Sequence, residues 1–194
     1  MRLLLLRHGA AEGQHRYLGV TDAPLSPEGR TQALRRRANL PPVEALWSSP
    51  LTRCRETAAL LWPDVPPTVL EDLRELDFGT WEGRTWTEVG DEAVYDRWLA
   101  GDPRACFPGG ETLGDFRARV NRAFSAICTR CAQEAVSTAA VVAHSGVLCA
   151  LLSSHVGGAY FDWHCPPCGG YTALLRPESG KLERVTPLGE AAPW

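Results

Sequence analysis

Arg7-His8-Gly9 puts a guanidinium, an imidazole and a residue without a Cβ in consecutive positions, and His144-Ser145-Gly146 sets a second imidazole ahead of a second glycine. An arginine offers paired N–H groups that match phosphoryl oxygens, an imidazole with one free nitrogen is a nucleophile or base, and glycine lets backbone N–H groups be approached closely. Arg53 adds a cation just behind Ser49-Pro50. A helix is expected to open there, and its positive end would favour an anion. Each residue alone has an ordinary alternative. His8 and His144 would serve as satisfied core or capping residues, and Arg53 as a solvated cation like Arg55 or Arg35 to Arg37.

The elements around these residues argue for one site. Leu3-Leu4-Leu5-Leu6 is a short apolar run that ends abruptly at Arg7, and Ala139-Ala140-Val141-Val142-Ala143 ends the same way at His144. Both read as buried central strands, and open α/β sheets bind ligands at the carboxyl ends of such strands. Strands are expected at Arg2–Arg7, ending at Leu46-Trp47, at Val69-Leu70, at 139–143, at Gly170–Arg176 and at 181–186. Helices are expected after Ser26-Pro27-Glu28, from Ser49-Pro50 to about Trp62, from about Trp86 to Leu99, from Glu111 to Ala135 and over Val147–His155. The acidic stretch Glu71 to Gly83 reads as loop. The alternation predicts an α/β three-layer sandwich, a mostly parallel central sheet with helices on both faces. One domain over residues 1–194 is expected, with a small helical lid insert at about 84–110.

The whole chain narrows the ligand. At 194 residues, 44% hydrophobic and 22% charged, it is ordinarily globular and long enough to bury a core. A net charge of −3 leaves no electrostatic footprint for nucleic acid or an anionic membrane, so any anion must be held by local arginines. The apolar start is too short for a signal-peptide core or a membrane span, which implies a cytoplasmic protein. Seven cysteines in such a chain are expected as reduced thiols. Cys128/Cys131 and Cys165/Cys168 have Cys-x-x-Cys spacing, but the pairs lie further apart than in a zinc ribbon and the first falls in a helical pattern. Packed thiols are the favoured reading over a metal site.

Further segments extend the pattern: Arg16-Tyr17-x-Gly19-x-x-Asp22-x-Pro24-Leu25-Ser26-x-x-Gly29, Ser48-Ser49-Pro50-Leu51-x-Arg53, Glu75-Leu76-Asp77-Phe78-Gly79-x-Trp81-Glu82-Gly83 and Gly109-Gly110-Glu111. With Leu-Leu-Arg7-His8-Gly9 and Val142-x-His144-Ser145-Gly146 they run in order from residue 3 to about 150, and the chain resembles the histidine phosphatase superfamily, the phosphoglycerate mutase-like enzymes. The resemblance implies that His8 accepts the phosphoryl group, that Arg7, Arg53 and His144 bind it and that Glu75 donates the proton. Without it, Glu75 would read as a solvated carboxylate. Gly9, Gln14 and Ser145 are further candidates for the phosphate site. No cofactor and no metal are implied, and the expected partner is a small-molecule phosphate ester, taken by a monomer or homodimer.

Two positions depart from the family pattern. The family commonly has Ser or Thr three residues after the nucleophile and Asn six after it, where this chain has Ala11 and Gln14. The first loses a hydroxyl and the second moves an amide by one methylene. Three activities compete: a metal-independent phosphomonoesterase, including a broad sugar phosphatase; a phosphoglycerate-type mutase; and a non-catalytic binder of phosphorylated ligands. The short chain and Pro108-Gly109-Gly110-Glu111-Thr112 resemble the phosphatase branches. Trp86, Tyr95, Trp98 and Phe107 of the insert either stack on a planar leaving group or simply pack its helices.

Overall fold

The computed structural model describes residues 1–13, 15–90 and 92–188. Six strands form one sheet: β1 (Arg2–Arg7), β2 (Ala45–Ser48), β3 (Thr68–Val69), β4 (Thr138–Ala143), β5 (Gly170–Arg176) and β6 (Lys181–Pro187), in the order β3-β2-β4-β1-β5-β6. The first four run parallel, and β5 and β6 complete one edge in antiparallel pairing. β1 lies in the middle, with all four leucines buried. That burial on both faces explains why the strand is a continuous apolar run rather than an alternating one.

Alternate residues of β1 serve different layers, as the period of two requires. Leu4 and Leu6 pack with Ala33 of α1 (Pro27–Arg37) and with Cys54 and Ala58 of α2 (Thr52–Leu61). Leu3 and Leu5 belong to the opposite core, with Phe116 and Phe124 of α5 (Leu113–Gln133) and Leu148 of α6 (Ser145–His155). The sheet is therefore covered on both sides, the three-layer architecture expected. Two short helices, α3 (Trp86–Val89) and α4 (Glu92–Leu99), stand where one was expected. Gly90, at φ 51°, ends the first of them in the left-handed region that glycine tolerates.

Register brings the chemistry together. Arg7 pairs with Ala143 across β1 and β4, so His8 and His144 leave adjacent parallel strands at the same level. Ser48 pairs with Val142, which places Ser49 and the start of α2 on the other side of His144. Helix α2 begins at Thr52 rather than at Ser49-Pro50, because the Ser49 N–H still donates to the Val142 carbonyl at 3.0 Å and extends the sheet. Helix α5 likewise begins later than expected, capped by Thr112, whose Oγ1 accepts from Asp115 N at 3.0 Å. Cys128 and Cys131 face the core from α5, and Cys165 and Cys168 are buried too. No helix among the described residues is long and apolar enough to cross a membrane.

Candidate active site

A pocket of about 190 Å³ at the carboxyl ends of β1 and β4 is lined by Arg7, His8, Arg16, Tyr17, Arg53 and Glu75, among others. His8 Nδ1 lies 2.6 Å from the Gly9 carbonyl oxygen. A carbonyl only accepts, so Nδ1 carries the proton and Nε2 is left with a lone pair. Burial, then the Arg53 and Arg7 cations, hold the His8 pKa well below the usual imidazole value, against the pull of the Gly9 carbonyl. The ring is thus the neutral base that a nucleophile requires.

Arg53 is fully buried, and no carboxylate pairs with it among the described residues. Its Nη1 donates to Thr21 O at 2.7 Å, and its Nη2 to Gly19 O at 2.7 Å and Leu18 O at 3.1 Å. Arg7 Nη1 donates to Cys165 O at 2.8 Å. In both guanidinium groups Nε is buried without a hydrogen-bond partner. Buried N–H groups are nearly always satisfied, and a buried cation calls for an anion. Two such donors beside a neutral imidazole suit an oxyanion.

His144 is fully buried and its ring centroid is 5.1 Å from that of His8, edge to face. Its Nε2 lies 2.8 Å from Ser49 Oγ and 3.4 Å from Cys54 Sγ. Burial, followed by Arg53 and His8, keeps it neutral as well. The Cys54 thiol is pushed up to about 12, chiefly by burial, and stays protonated. Glu75 also reaches the pocket, with Oε2 accepting from Gly146 N at 3.0 Å and Oε1 from Leu76 N at 3.0 Å. Burial raises its pKa against those two N–H groups and the arginines, which favours the protonated acid.

Two expected phosphate ligands have other partners. The Gly9 N–H is occupied by Thr57 Oγ1 at 3.1 Å. The missing side chain matters instead because a Cβ at Gly9 would lie 2.6 Å from Gly29 O, where the loop crosses the first turn of α1. Ser145 Oγ faces His164 Nδ1 at 3.0 Å and lines a second cavity rather than the His8 pocket. Gln14 lies outside the described residues. Arg7, His8, Arg53, Glu75 and His144 are the expected residues that converge.

The supporting roles of further residues, some of them in the recognised segments, were not visible in the sequence. The Glu82 carboxylate accepts from the backbone N–H groups of Gly19, Val20, Thr21 and Phe78, and from the Thr21 hydroxyl. It thereby fixes the loop whose carbonyls hold Arg53. Arg119, buried on α5, donates to the carbonyls of Asp72, Arg74 and Glu75 and pairs with Glu111. It clamps the segment that carries Glu75. Arg16 and Tyr17 stand in one of the recognised segments, but only the fold places them at the pocket mouth. Of the insert aromatics, Tyr95 and Trp98 line the second cavity, whereas Phe107 is core and Trp86 packs on Trp81 and Tyr95. Phe78 and Phe161 take their places.

The model of the histidine phosphatase superfamily, branch 1, matches residues 3–185. The chain belongs to that family. It is 33% identical over 161 residues to the adenosylcobalamin/alpha-ribazole phosphatase of Salmonella typhimurium, covering 79% of this chain and 78% of that one. The crystal structure of a putative alpha-ribazole-5'-P phosphatase from Escherichia coli superposes with a TM-score of 0.83 at 25% identity, over 99% of this chain and 97% of the other. A Gloeobacter violaceus relative named 2,3-bisphosphoglycerate-dependent phosphoglycerate mutase 2 is 36% identical over 140 residues, 63% of this chain and 61% of its own length. The first curated relatives it matches include a bifunctional protein of Mycobacterium tuberculosis, 39% identical over 133 residues. That match takes in 62% of this chain but only 35% of the relative's length.

Proposed function

We propose that this histidine phosphatase family member is a phosphomonoesterase that works through a phosphohistidine at His8, on a small-molecule ester such as α-ribazole 5′-phosphate of cobalamin assembly. The observation that carries the reading is a neutral His8 with Nε2 free, set between two guanidinium groups whose Nε–H donors have no partner. In the first step the Nε2 lone pair attacks phosphorus, an N–P bond forms and the P–O bond to the leaving group breaks. Arg7, Arg53 and His144 stabilise the charge on the equatorial oxygens, and Glu75 gives its proton to the departing oxygen. Water then attacks the phosphohistidine, with the Glu75 carboxylate taking its proton. Phosphate leaves and His8 is restored, with no step that calls for a metal. The substrate is supported by the Salmonella typhimurium and Escherichia coli likenesses and by the phosphatase-branch features of the sequence. The same reading puts the enzyme in the cytoplasm, as a monomer or homodimer, with α3, α4 and the following loop as its lid.

The test is to trap the intermediate. Parent protein mixed with a 32P-labelled ester should yield a phosphoenzyme that is acid-labile and base-stable, and His8→Ala should form none while keeping its fold. An acid-stable adduct would overturn the reading. With 3-phosphoglycerate, release of inorganic phosphate should exceed isomerisation, because a mutase must shield its phosphoenzyme from water until a second acceptor binds. Fast isomerisation with negligible hydrolysis would favour the mutase, and binding with neither reaction a non-catalytic role.

A further inference from the structure

His144 is fully buried, so both of its ring nitrogens have to be accounted for. A neutral imidazole carries one N–H and one bare nitrogen, and which nitrogen holds the proton is set by what the other one meets. Nε2 meets Ser49 Oγ at 2.8 Å and Cys54 Sγ at 3.4 Å, while Nδ1 has Cys54 Sγ at 3.8 Å. The Ser49 hydroxyl has a single proton to place. It accepts the Leu51 N–H at 3.4 Å, and among the described residues the neighbours that could receive its proton are His144 Nε2 and Cys54 Sγ. Sulfur is the weaker acceptor of the two, and the Cys54 thiol sends its own proton to the Ala143 carbonyl at 3.3 Å.

We propose that Ser49 is a positioning residue: its hydroxyl donates to His144 Nε2 and so keeps the proton on Nδ1, the ring donor left for an oxygen of the phosphoryl group. The tautomer stands on the contacts of Ser49 alone, and the use made of the Nδ1 proton rests on the phosphomonoesterase reading. The backbone holds Ser49 to this task. Its N–H donates to Val142 O at 3.0 Å and its carbonyl accepts from Ser48 Oγ at 2.9 Å, one residue past β2 and beside the strand that ends at His144. Ser49 and His144 are both wholly shielded from bulk water. In the opposite tautomer the hydroxyl proton would fall to sulfur, and Nδ1 would offer an anion a lone pair in place of a donor. Two neutral imidazoles 5.1 Å apart thus take different parts through different partners. The Gly9 carbonyl can only accept and leaves His8 with a bare Nε2 for attack, whereas the Ser49 hydroxyl donates and leaves His144 with an N–H to give.

The test reads the tautomer in the parent protein, by long-range proton–nitrogen correlation of the histidine rings at neutral pH, with His144 assigned by the signals lost in His144→Asn. His144 should show Nδ1 protonated and Nε2 bare, and added inorganic phosphate should shift the Nδ1 resonance. In Ser49→Ala the ring should pass to Nε2–H or to exchange between the two forms. The same variant should lose about tenfold in kcat/KM for phosphate esters, and the inhibition constant of inorganic phosphate should rise by a similar factor. Ser49→Thr keeps the hydroxyl and should keep the parent tautomer and most of the rate. Nε2–H in the parent protein, or a His144 tautomer unmoved by Ser49→Ala, would overturn the proposal. So would a Ser49→Thr protein with the parent tautomer but the rate of Ser49→Ala, since Ser49 would then act by its shape rather than its proton. Failure of every ester, p-nitrophenyl phosphate included, to phosphorylate His8 would overturn the phosphomonoesterase reading instead, and the ring signals would still report on Ser49.

Discussion

The Glu75 carboxyl and the Gly146 amide are joined at 3.0 Å, tying the acidic segment after β3 to the first turn of the helix that His144 opens. A Cβ at Gly146 would lie 2.3 Å from Glu75 Oε1. The glycine is therefore a condition for the carboxyl to stand where it does. Gly146→Ala should displace the acid and lower kcat for alkyl phosphates on the order of a hundredfold, the scale that a misplacement of about 1 Å can cost. Unchanged kcat in a correctly folded variant would show that the contact does not set the position of the acid.

The two buried histidines and Glu75 pull stability in opposite directions with pH. His8 and His144 are held below the ordinary 6.5, so between that value and their folded ones the unfolded chain binds protons that the folded chain refuses. Their contribution is present above 6.5 and is lost as pH falls. Glu75, raised above 4.5, keeps a proton in the folded state that the unfolded chain releases, so its contribution is lost as pH rises through its folded value. In denaturant titrations on the acid side of neutrality, His8→Asn should flatten the fall in stability by up to about 1.4 kcal/mol per pH unit, and Glu75→Gln should steepen it. An unchanged slope in His8→Asn would mean that the ring titrates normally.

Glu82 acts on Arg53 through the loop 18–21. Replacing it by Gln keeps the shape but turns one acceptor oxygen into a donor facing the Gly19 and Thr21 N–H groups. Charge-assisted hydrogen bonds of this kind are worth about 1.5–3 kcal/mol each. The carbonyls that hold Arg53 should loosen, raising KM and the inhibition constant of inorganic phosphate about tenfold with a smaller change in kcat. A fall in kcat alone would place Glu82 in the chemical step.

The strand framework was legible because its signals are local. β1 and β5 run between the residues expected, since apolar runs bounded by Arg, Gly and Pro leave little freedom in where a buried strand can start or stop. His8, His144 and Arg53 were legible for the same reason, standing at element ends. What was hidden depends on partners far along the chain. Ser49-Pro50 looks like a helix start, but pairing with Val142 and the hydroxyl's contact with His144 hold Ser49 on the sheet. Arg119 reads as one more cation on an amphipathic helix, and only the fold brings three carbonyls of the Glu75 segment to it. Phe161 follows α6 in a stretch with no strand or helix pattern, and nothing in its neighbours announces a cavity wall.

The proposed mechanism draws its charge stabilisation from arginine and histidine, and among the described residues no group of three or more His, Cys, Asp or Glu side chains gathers that could hold a metal ion. Exhaustive dialysis against a chelator should leave kcat/KM unchanged. Activity lost to the chelator and restored by zinc or magnesium would reverse the account.

The role of Glu75 is read most directly from the leaving group. An alkoxide departs poorly and needs a proton as the P–O bond breaks, whereas p-nitrophenolate is stable enough to leave without one. Burial raises the Glu75 pKa, and Glu75 lines both the His8 pocket and the second cavity, the position the proposed mechanism requires of the acid. Glu75→Gln keeps a group of the same size but has no proton to give. It should slow phosphorylation of His8 by alkyl phosphates on the order of a hundredfold or more, and by p-nitrophenyl phosphate far less. The measurement belongs in single turnover, because in the proposed mechanism the same carboxylate then serves as base for the attacking water, and its loss would depress steady-state rates for both esters alike. An equal loss of the phosphorylation step for both would assign Glu75 to positioning the phosphate and leave the acid to another residue, with His164 across the cavity the first to replace.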